Sequence, residues 1–321
     1  MVLSNYTTAL LLNGQILPSQ IADPYIILVI GWIMLLASLL GMAMNFRVLQ
    51  SFCKQKMSSF YLMCSSKTLS NMCILLGYVV HNAPITIMNN FNGPTFMNTL
   101  VNEMLSYGIY IVGPIIQFMI SINRLMIIIF VKQSMTQNNQ NLTIILLAIT
   151  WLAGILLTVI TSVDTCNLTY NPELLNWWHD GCGNFVGDAV TAFVILCAIL
   201  SNVCNFVIVV RLLTSIVQNK IQLDSSTVRR RKQKSRKLFI QSCIQDWLSA
   251  IDSINITFVD SNFDKAIFKF LFDIFSNLMT PVLDGFVMLI FNQECENKQS
   301  TIVTVKMRET TTHNTGSHNK F

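Results

Sequence analysis

Residues 238–259 read LFIQSCIQDWLSAIDSINITFV, apolar enough on one side to enter a bilayer and polar on the other. Gln241, Gln245, Asp246, Ser249, Asp252 and Asn255 mostly follow steps of three or four, so a helix gathers them on one face. Phe239, Ile240, Ile244, Leu248, Ile251 and Phe258 take the other side. Two placements fit. The helix lies flat on a membrane surface, or it crosses with its polar stripe turned into a bundle. A surface helix usually carries Lys or Arg on its polar face, and none follows Lys237 here. We therefore read the stretch as a crossing, and the number of crossings depends on it.

Outward from this stretch the chain repeats one pattern. Apolar blocks run over Tyr25–Met44 (continuing to about Val48), Phe60–Val80, Leu100–Phe130, Leu142–Val163, Ala189–Leu213 and Ala266–Phe291. Each is long enough for a hydrocarbon core of about 30 Å at about 1.5 Å per residue. The third is too long for one crossing, so part of it is expected to protrude. Composition agrees. Of 321 residues, 52% are hydrophobic and only 12% are charged, where a soluble domain carries about 25%, and mean hydropathy is +0.53. Intrinsic disorder of the whole chain is excluded. Nine cysteines over this length are too sparse for a disulfide mini-protein.

Charge sets the expected orientation. Of the 21 Lys and Arg residues, 18 fall after spans one, three, five and seven. The loop between spans five and six alone holds Arg211, Lys220 and the run from Arg229 to Lys237, which includes Arg230, Arg231 and Lys232. The first 24 residues and the segment 161–187 hold none. By the positive-inside rule the N-terminus is outside and the tail cytoplasmic, which requires an odd number of spans. We expect an all-α membrane protein, a seven-transmembrane helix bundle. Residues 1–24 are its extracellular N-terminal segment, 25–295 the bundle and 296–321 a disordered cytoplasmic tail rich in Ser and Thr. No Lys or Arg precedes the short apolar run Ala9–Leu12, so the first residues read as a mature segment and not a signal peptide.

Cysteines and sequons follow the same map. Cys166 and Cys182 are the two cysteines predicted outside, and we expect them to pair. The closed loop of about 15 residues is worth roughly 3 kcal/mol in the chain-entropy model. Asn5 and Asn167 head glycosylation sequons on that side.

Several functional classes fall away. The last span has only Lys269, near its outer end, so a retinal Schiff base is poorly served. No internal repeat or matched pair of breaks marks a transporter, and no filter marks a channel. His81, His179, His313 and His318 do not cluster at metal-ligand spacing, and no phosphate-binding glycine loop is present. We expect no cofactor, no metal and no enzyme chemistry. The run at Arg229–Lys237 would read as a nucleic-acid motif in isolation. Beside a membrane span it reads as an anchor to anionic lipid, and no nucleic-acid partner is expected.

Ser121-Ile122-Asn123-Arg124 closes span three, Asn45 closes span one, Ser70-Asn71 lies in span two and Trp151 at the centre of span four. In order and spacing these resemble the marker residues of rhodopsin-like receptors. A closer resemblance, over about residues 25 to 295, is to the nematode chemosensory receptors called serpentine receptor class X. It is carried by Ser58 to Cys64, Ser121 to Phe130, Leu238 to Asp246, Leu283-Asp284-Gly285-Phe286 and Phe291-Asn292.

The resemblance implies a G-protein-coupled receptor of the plasma membrane, in sensory neurons. Its partners would be a small-molecule ligand, a heterotrimeric G protein and the bilayer. It assigns coupling and activation to Asn123 and Arg124, and the basic run Arg229, Arg230, Arg231 and Lys232 suits the same face. Asn123 stands where most rhodopsin-like receptors have an acid. Span seven has Leu283-Asp284-Gly285 in place of Asn-Pro-x-x-Tyr. Span three has no cysteine near its outer end, so the loop pair Cys166–Cys182 stands in for the usual disulfide.

Charged groups at mid-bilayer cost at least about 2.5 kcal/mol, so Asp246, Asp252, Asp273 and Asp284 are expected to face the bundle. By depth, Tyr107, Tyr110, Asp252, Asn255, Asp273 and Asn277 fall in the outer halves of spans three, six and seven. They are the candidate ligand pocket. Simple interhelical hydrogen bonding accounts for them as well. A small-solute transporter or channel that uses the intramembrane aspartates is the alternative function.

Overall fold

The computed structural model describes residues 21–55, 57–90, 93–129, 137–163, 167–180, 185–218, 226–255 and 265–291. Seven long helices run through them. They are α1 (Pro24–Cys53), α2 (Ser59–Met88), α3 (95–129), α4 (Gln137–Val163), α5 (Phe185–Gln218), α6 (Ser226–Ile254) and α7 (Ala266–Phe291). A two-stranded antiparallel hairpin, β1 (Asn167–Asn171) and β2 (Asn176–Asp180), stands between α4 and α5.

Local chemistry starts and stops these helices. Asp23 caps α1 by accepting from the Tyr25 amide at 2.8 Å, with Pro24 in the first turn. Ser58 caps α2, and Asn89 closes it in the left-handed region at φ 46°. Single π turns interrupt α2 at Tyr78–Asn82, α3 at Met104–Gly108 and α7 at Phe270–Ile274. The first lies just before Pro84, which has no N–H for the ladder and crowds the carbonyl four residues back. The helix in α3 continues through Pro114.

Six of the seven helices are long and apolar enough to cross a membrane. The exception is α6, and its packing answers the question posed by residues 238–259. Gln241, Ser242, Gln245, Asp246, Asp252 and Ser253 are buried, while Ile240, Ile244, Trp247, Ile251 and Ile254 are exposed. This is a soluble helix turned inside out, with its polar stripe in the bundle and its apolar face where lipid lies. The basic run does not form a loop. It occupies the first turns of α6, because Arg, Lys and Gln favour helix and no Gly or Pro interrupts them.

Helices α2 and α3 are central, with half of each membrane window buried, whereas α4 is peripheral at 28%. Small residues set the close approaches. A Cβ on Gly154 of α4 would lie 2.8 Å from the Gly108 carbonyl oxygen of α3. Gly41 of α1 faces Leu75 of α2 and Val282 of α7 with no room for a side chain, which is a packing role. Several buried hydroxyls are satisfied within their own helices. Ser38 donates to the Met34 carbonyl and Thr68 to that of Cys64.

The hairpin is a feature the sequence pattern did not announce. It lies against α2 and α3, and Leu168, Tyr170 and Leu175 are buried. Glu103 Oε1 accepts from the Leu168 amide (2.9 Å), Trp177 Nε1 donates to Asn102 Oδ1 (3.1 Å) and Tyr170 Oη pairs with Thr86 Oγ1 (2.7 Å). Cys166, Cys182 and Asn5 lie outside the described residues. Asn167 pairs with Asp180 at the open end of the hairpin, but its side chain also lies outside what is described.

Candidate functional site

The polar residues of the bundle form three groups, stacked from the hairpin end to the opposite end. At the hairpin end, Tyr110 of α3 donates to Asp252 Oδ2 of α6 at 2.7 Å. Asn255 Nδ2 donates to Ser276 Oγ of α7 at 3.1 Å. Asn277 Oδ1 accepts from Tyr78 Oη of α2 at 2.9 Å. Asp273 is buried in the π turn of α7. Sequence reasoning found four of these partners and missed Tyr78 and Ser276. Tyr107 stands apart from them, since it packs with Leu168, Val190 and Val194 against the hairpin and α5. Tyr107 itself lies in the π turn of α3.

At mid-bundle sits the ion pair found among the described residues. Lys67 Nζ of α2 lies 2.9 Å from Asp284 Oδ1 of α7, and both side chains are 5% exposed. The same ammonium donates to Gln117 Oε1 of α3 at 2.8 Å. Asp284 Oδ2 accepts from Asn71 Nδ2 at 2.6 Å. Asn71 also reaches Asn45 Oδ1 (3.4 Å), and Asn45 donates to the Pro281 carbonyl of α7 (3.1 Å). Gln117 Nε2 donates in turn to Ser242 Oγ of α6 at 3.0 Å.

One charged pair thus ties together five helices, α1, α2, α3, α6 and α7. Asp284 stood out in sequence as a charge inside a span, and Lys67 lies inside span two. The signal for their pairing is physical, because a charged lysine and a charged aspartate are costlier to bury apart than together. Against the pair lies a cavity of about 30 Å³, more than the roughly 10–15 Å³ that a water needs. Its wall includes Tyr110, Ser249 and Asn277 as well as Lys67, Asn71 and Asp284, so it joins the hairpin-end group to the ion pair. Asp246 is held separately, as acceptor from Asn205 Nδ2 of α5.

At the end opposite the hairpin, Arg124 is 9% exposed. Its guanidinium sits over the Phe60 ring at 5.1 Å, a cation–π contact. Phe60 is braced edge-on by Tyr61 at 5.6 Å, and Tyr61 meets Phe52 at 5.9 Å. The buried Nδ2 of Asn123 has no hydrogen-bond partner among the described residues. Ser121 Oγ donates to the Gln117 carbonyl (3.2 Å), which links this end to the ion-pair network. Trp151 Nε1 of α4 donates to Ser66 Oγ of α2 at 2.8 Å. Arg229, Arg230, Arg231 and Lys232 lie on the early turns of α6, and their side chains lie outside what is described.

With this geometry in place, two comparisons add independent findings. The family model for the serpentine type 7TM GPCR chemoreceptor Srx matches residues 35–292. Among solved structures, the crystal structure of squid rhodopsin superposes with a TM-score of 0.69 at 12% sequence identity, covering 91% of each chain. That likeness is one of fold. No curated protein matches the chain.

Proposed function

Because the chain belongs to the Srx family of serpentine chemoreceptors, multi-pass membrane receptors of the G-protein-coupled class, we propose that it is a chemosensory receptor that converts small-molecule binding into G-protein activation. The ligand binds in the hairpin half of the bundle, among Tyr110, Asp252, Asn255, Asp273 and Asn277, with Tyr107 at its edge. A heterotrimeric G protein engages the opposite face through Arg124, Asn123 and the basic turns of α6 at Arg229, Arg230, Arg231 and Lys232. The observation that carries this reading is the continuity of the polar path. It runs from Tyr110 through the cavity to Lys67 and Asp284, and on through Gln117 to Ser121, one helical turn from Arg124.

The charge map supports an orientation with the hairpin end and N-terminus outside and the tail in the cytoplasm, at the plasma membrane of a sensory neuron. On that orientation Asn5 and Asn167 are glycosylated, and Cys166 joins Cys182 across the open end of the hairpin. A nonreducing digest that left those two cysteine peptides separate would contradict the pairing.

The function is tested by second-messenger output in cells that express the chain with a promiscuous G protein. A small-molecule library is screened on wild type and Arg124→Ala in parallel, with surface glycosylation as the expression control. The expected result is a ligand response that Arg124→Ala abolishes. Solute uptake or current that depends on Asp252 and is indifferent to Arg124 would overturn the reading in favour of a transporter or channel.

A further inference from the structure

A second site lies on the outside of the bundle, between α5 and α6. The two helices leave a groove of about 820 Å³, within the range of about 300–1,000 Å³ usual for small-molecule sites. It opens towards lipid, since Val203 and Phe206 on α5 and Trp247 on α6 are each more than half exposed. Its walls are apolar except at Asn202 and Asn205. These stand three residues apart on one face of α5, near the middle of its 34-residue length.

Asn202 presents a carboxamide with an unmet acceptor in this wall, whereas Asn205 is turned into the bundle. Asn202 Nδ2 donates to the Ala198 carbonyl at 2.8 Å, and its Oδ1 accepts no bond among the described residues. Asn205 is 2% exposed and its Nδ2 donates to Asp246, so its Oδ1, unpartnered among the described residues, lies out of an occupant's reach. Water is absent at that depth of a bilayer, so the unmet Asn202 Oδ1 is an unfavourable feature for a wall that only aliphatic chains touch. A molecule with a long apolar body and an O–H or N–H donor would fill the groove and meet that acceptor.

From this geometry we infer that the α5/α6 groove binds a membrane-dissolved aliphatic molecule carrying a hydrogen-bond donor, of the long-chain alcohol type. The site is separate from the hairpin-end cluster and does not depend on G-protein coupling. Recognition divides between shape, supplied by Ala198, Val203, Phe206 and Ala250, and the Asn202 carboxamide oxygen.

The experiment uses the full chain in lipid nanodiscs holding one receptor each. Bromododecanol and bromododecane are titrated while tryptophan fluorescence is read, because bromine quenches an indole on contact. A Trp247→Phe variant is subtracted to isolate Trp247 from the other tryptophans. The expected result is saturable quenching of Trp247 by the alcohol, against a merely linear response to the bromoalkane at equal membrane content. Ala198→Phe, which fills the groove and leaves every polar bond in place, raises the half-saturation point at least tenfold. Asn202→Leu brings the alcohol curve onto that of the alkane.

Superimposable alcohol and alkane curves in the wild type would overturn the inference, as would an alcohol curve unmoved by Ala198→Phe. So would loss of the saturable component when two receptors share a disc, together with crosslinking through α5. That outcome would make a second copy of the chain the occupant.

Discussion

Lys67 Nζ and Asp284 Oδ1 meet at 2.9 Å in the centre of the bundle, 217 residues apart in sequence. Both side chains are 5% exposed, so neither charge has water to fall back on. Removing one partner of such a pair strands the other, at about 3–5 kcal/mol, whereas replacing both with apolar groups is often nearly neutral. We predict that Lys67→Met alone sharply lowers the thermal stability of the purified receptor and that Lys67→Met with Asp284→Leu recovers most of the loss. Equal stability of wild type and the single variant, measured by thiol-reactive dye unfolding, would contradict the assignment.

Gly285 and Gly113 make a matched pair of probes. A Cβ on Gly285 would press into the Asn45 carboxamide, whereas one on Gly113, in the wall of the small cavity, would meet only Ser70 Oγ at 4.0 Å. Gly285→Ala is expected to cost about 1–3 kcal/mol by overpacking and to loosen the link between α1 and α7. Gly113→Ala is expected to be neutral or slightly stabilising. Melting temperatures of the two variants in one detergent settle the comparison, and a harmless Gly285→Ala would show that the helices are not packed this closely.

The hairpin is anchored through Glu103, whose Oε1 accepts from the Leu168 amide at 2.9 Å. Glutamine keeps a carbonyl acceptor there and alanine does not. Glu103→Gln is therefore expected to preserve slow hydrogen exchange at Leu168, and Glu103→Ala to lose it, for a net change on the order of 1 kcal/mol. Exchange at Leu168 that ignores the alanine would show that the strand is held by other contacts.

Burial raises the Tyr170 phenol above its ordinary value. Its folded pKa then exceeds its unfolded one, so its contribution is complete below about pH 10 and declines above it. Tyr170→Phe is expected to remove that alkaline decline in melting temperature. An alkaline melting profile identical to wild type would exclude Tyr170 as its source.

Asn123 stands beside Arg124 without the charge to hold it, and Arg124 rests on the Phe60 ring. An aspartate at 123 would add an ion pair to the resting arrangement. Ligand-free second-messenger output is expected to fall in Asn123→Asp at matched surface expression. Output no higher in wild type than in the variant would remove the idea of a weakly locked resting state.

Much of the architecture was legible because lipid imposes strict rules. Twenty-residue apolar blocks fix crossings, and the polar stripe of residues 238–259 had one sheltered place to go, which α6 takes. Elements governed by local detail were less legible. The hairpin arises from Thr169, Tyr170, Trp177 and Trp178, β-favouring residues on either side of a four-residue turn, within a segment that hydropathy marks only as a loop. The helical course of the basic run follows from propensity once its loop label is set aside. The Lys67–Asp284 pairing spans the whole chain, so no local pattern displays it. Only the electrostatics of burial points to it.

The central claim is that ligand binding at the hairpin end drives G-protein activation through Arg124. Its most direct test is nucleotide exchange on a heterotrimeric G protein in vesicles that contain the purified receptor, read with a library-derived activator, for wild type, Arg124→Ala and Asp252→Asn. The account predicts stimulated exchange with wild type, none with Arg124→Ala at any activator concentration, and a right-shifted concentration curve with intact maximum for Asp252→Asn. Full stimulation by Arg124→Ala would contradict it.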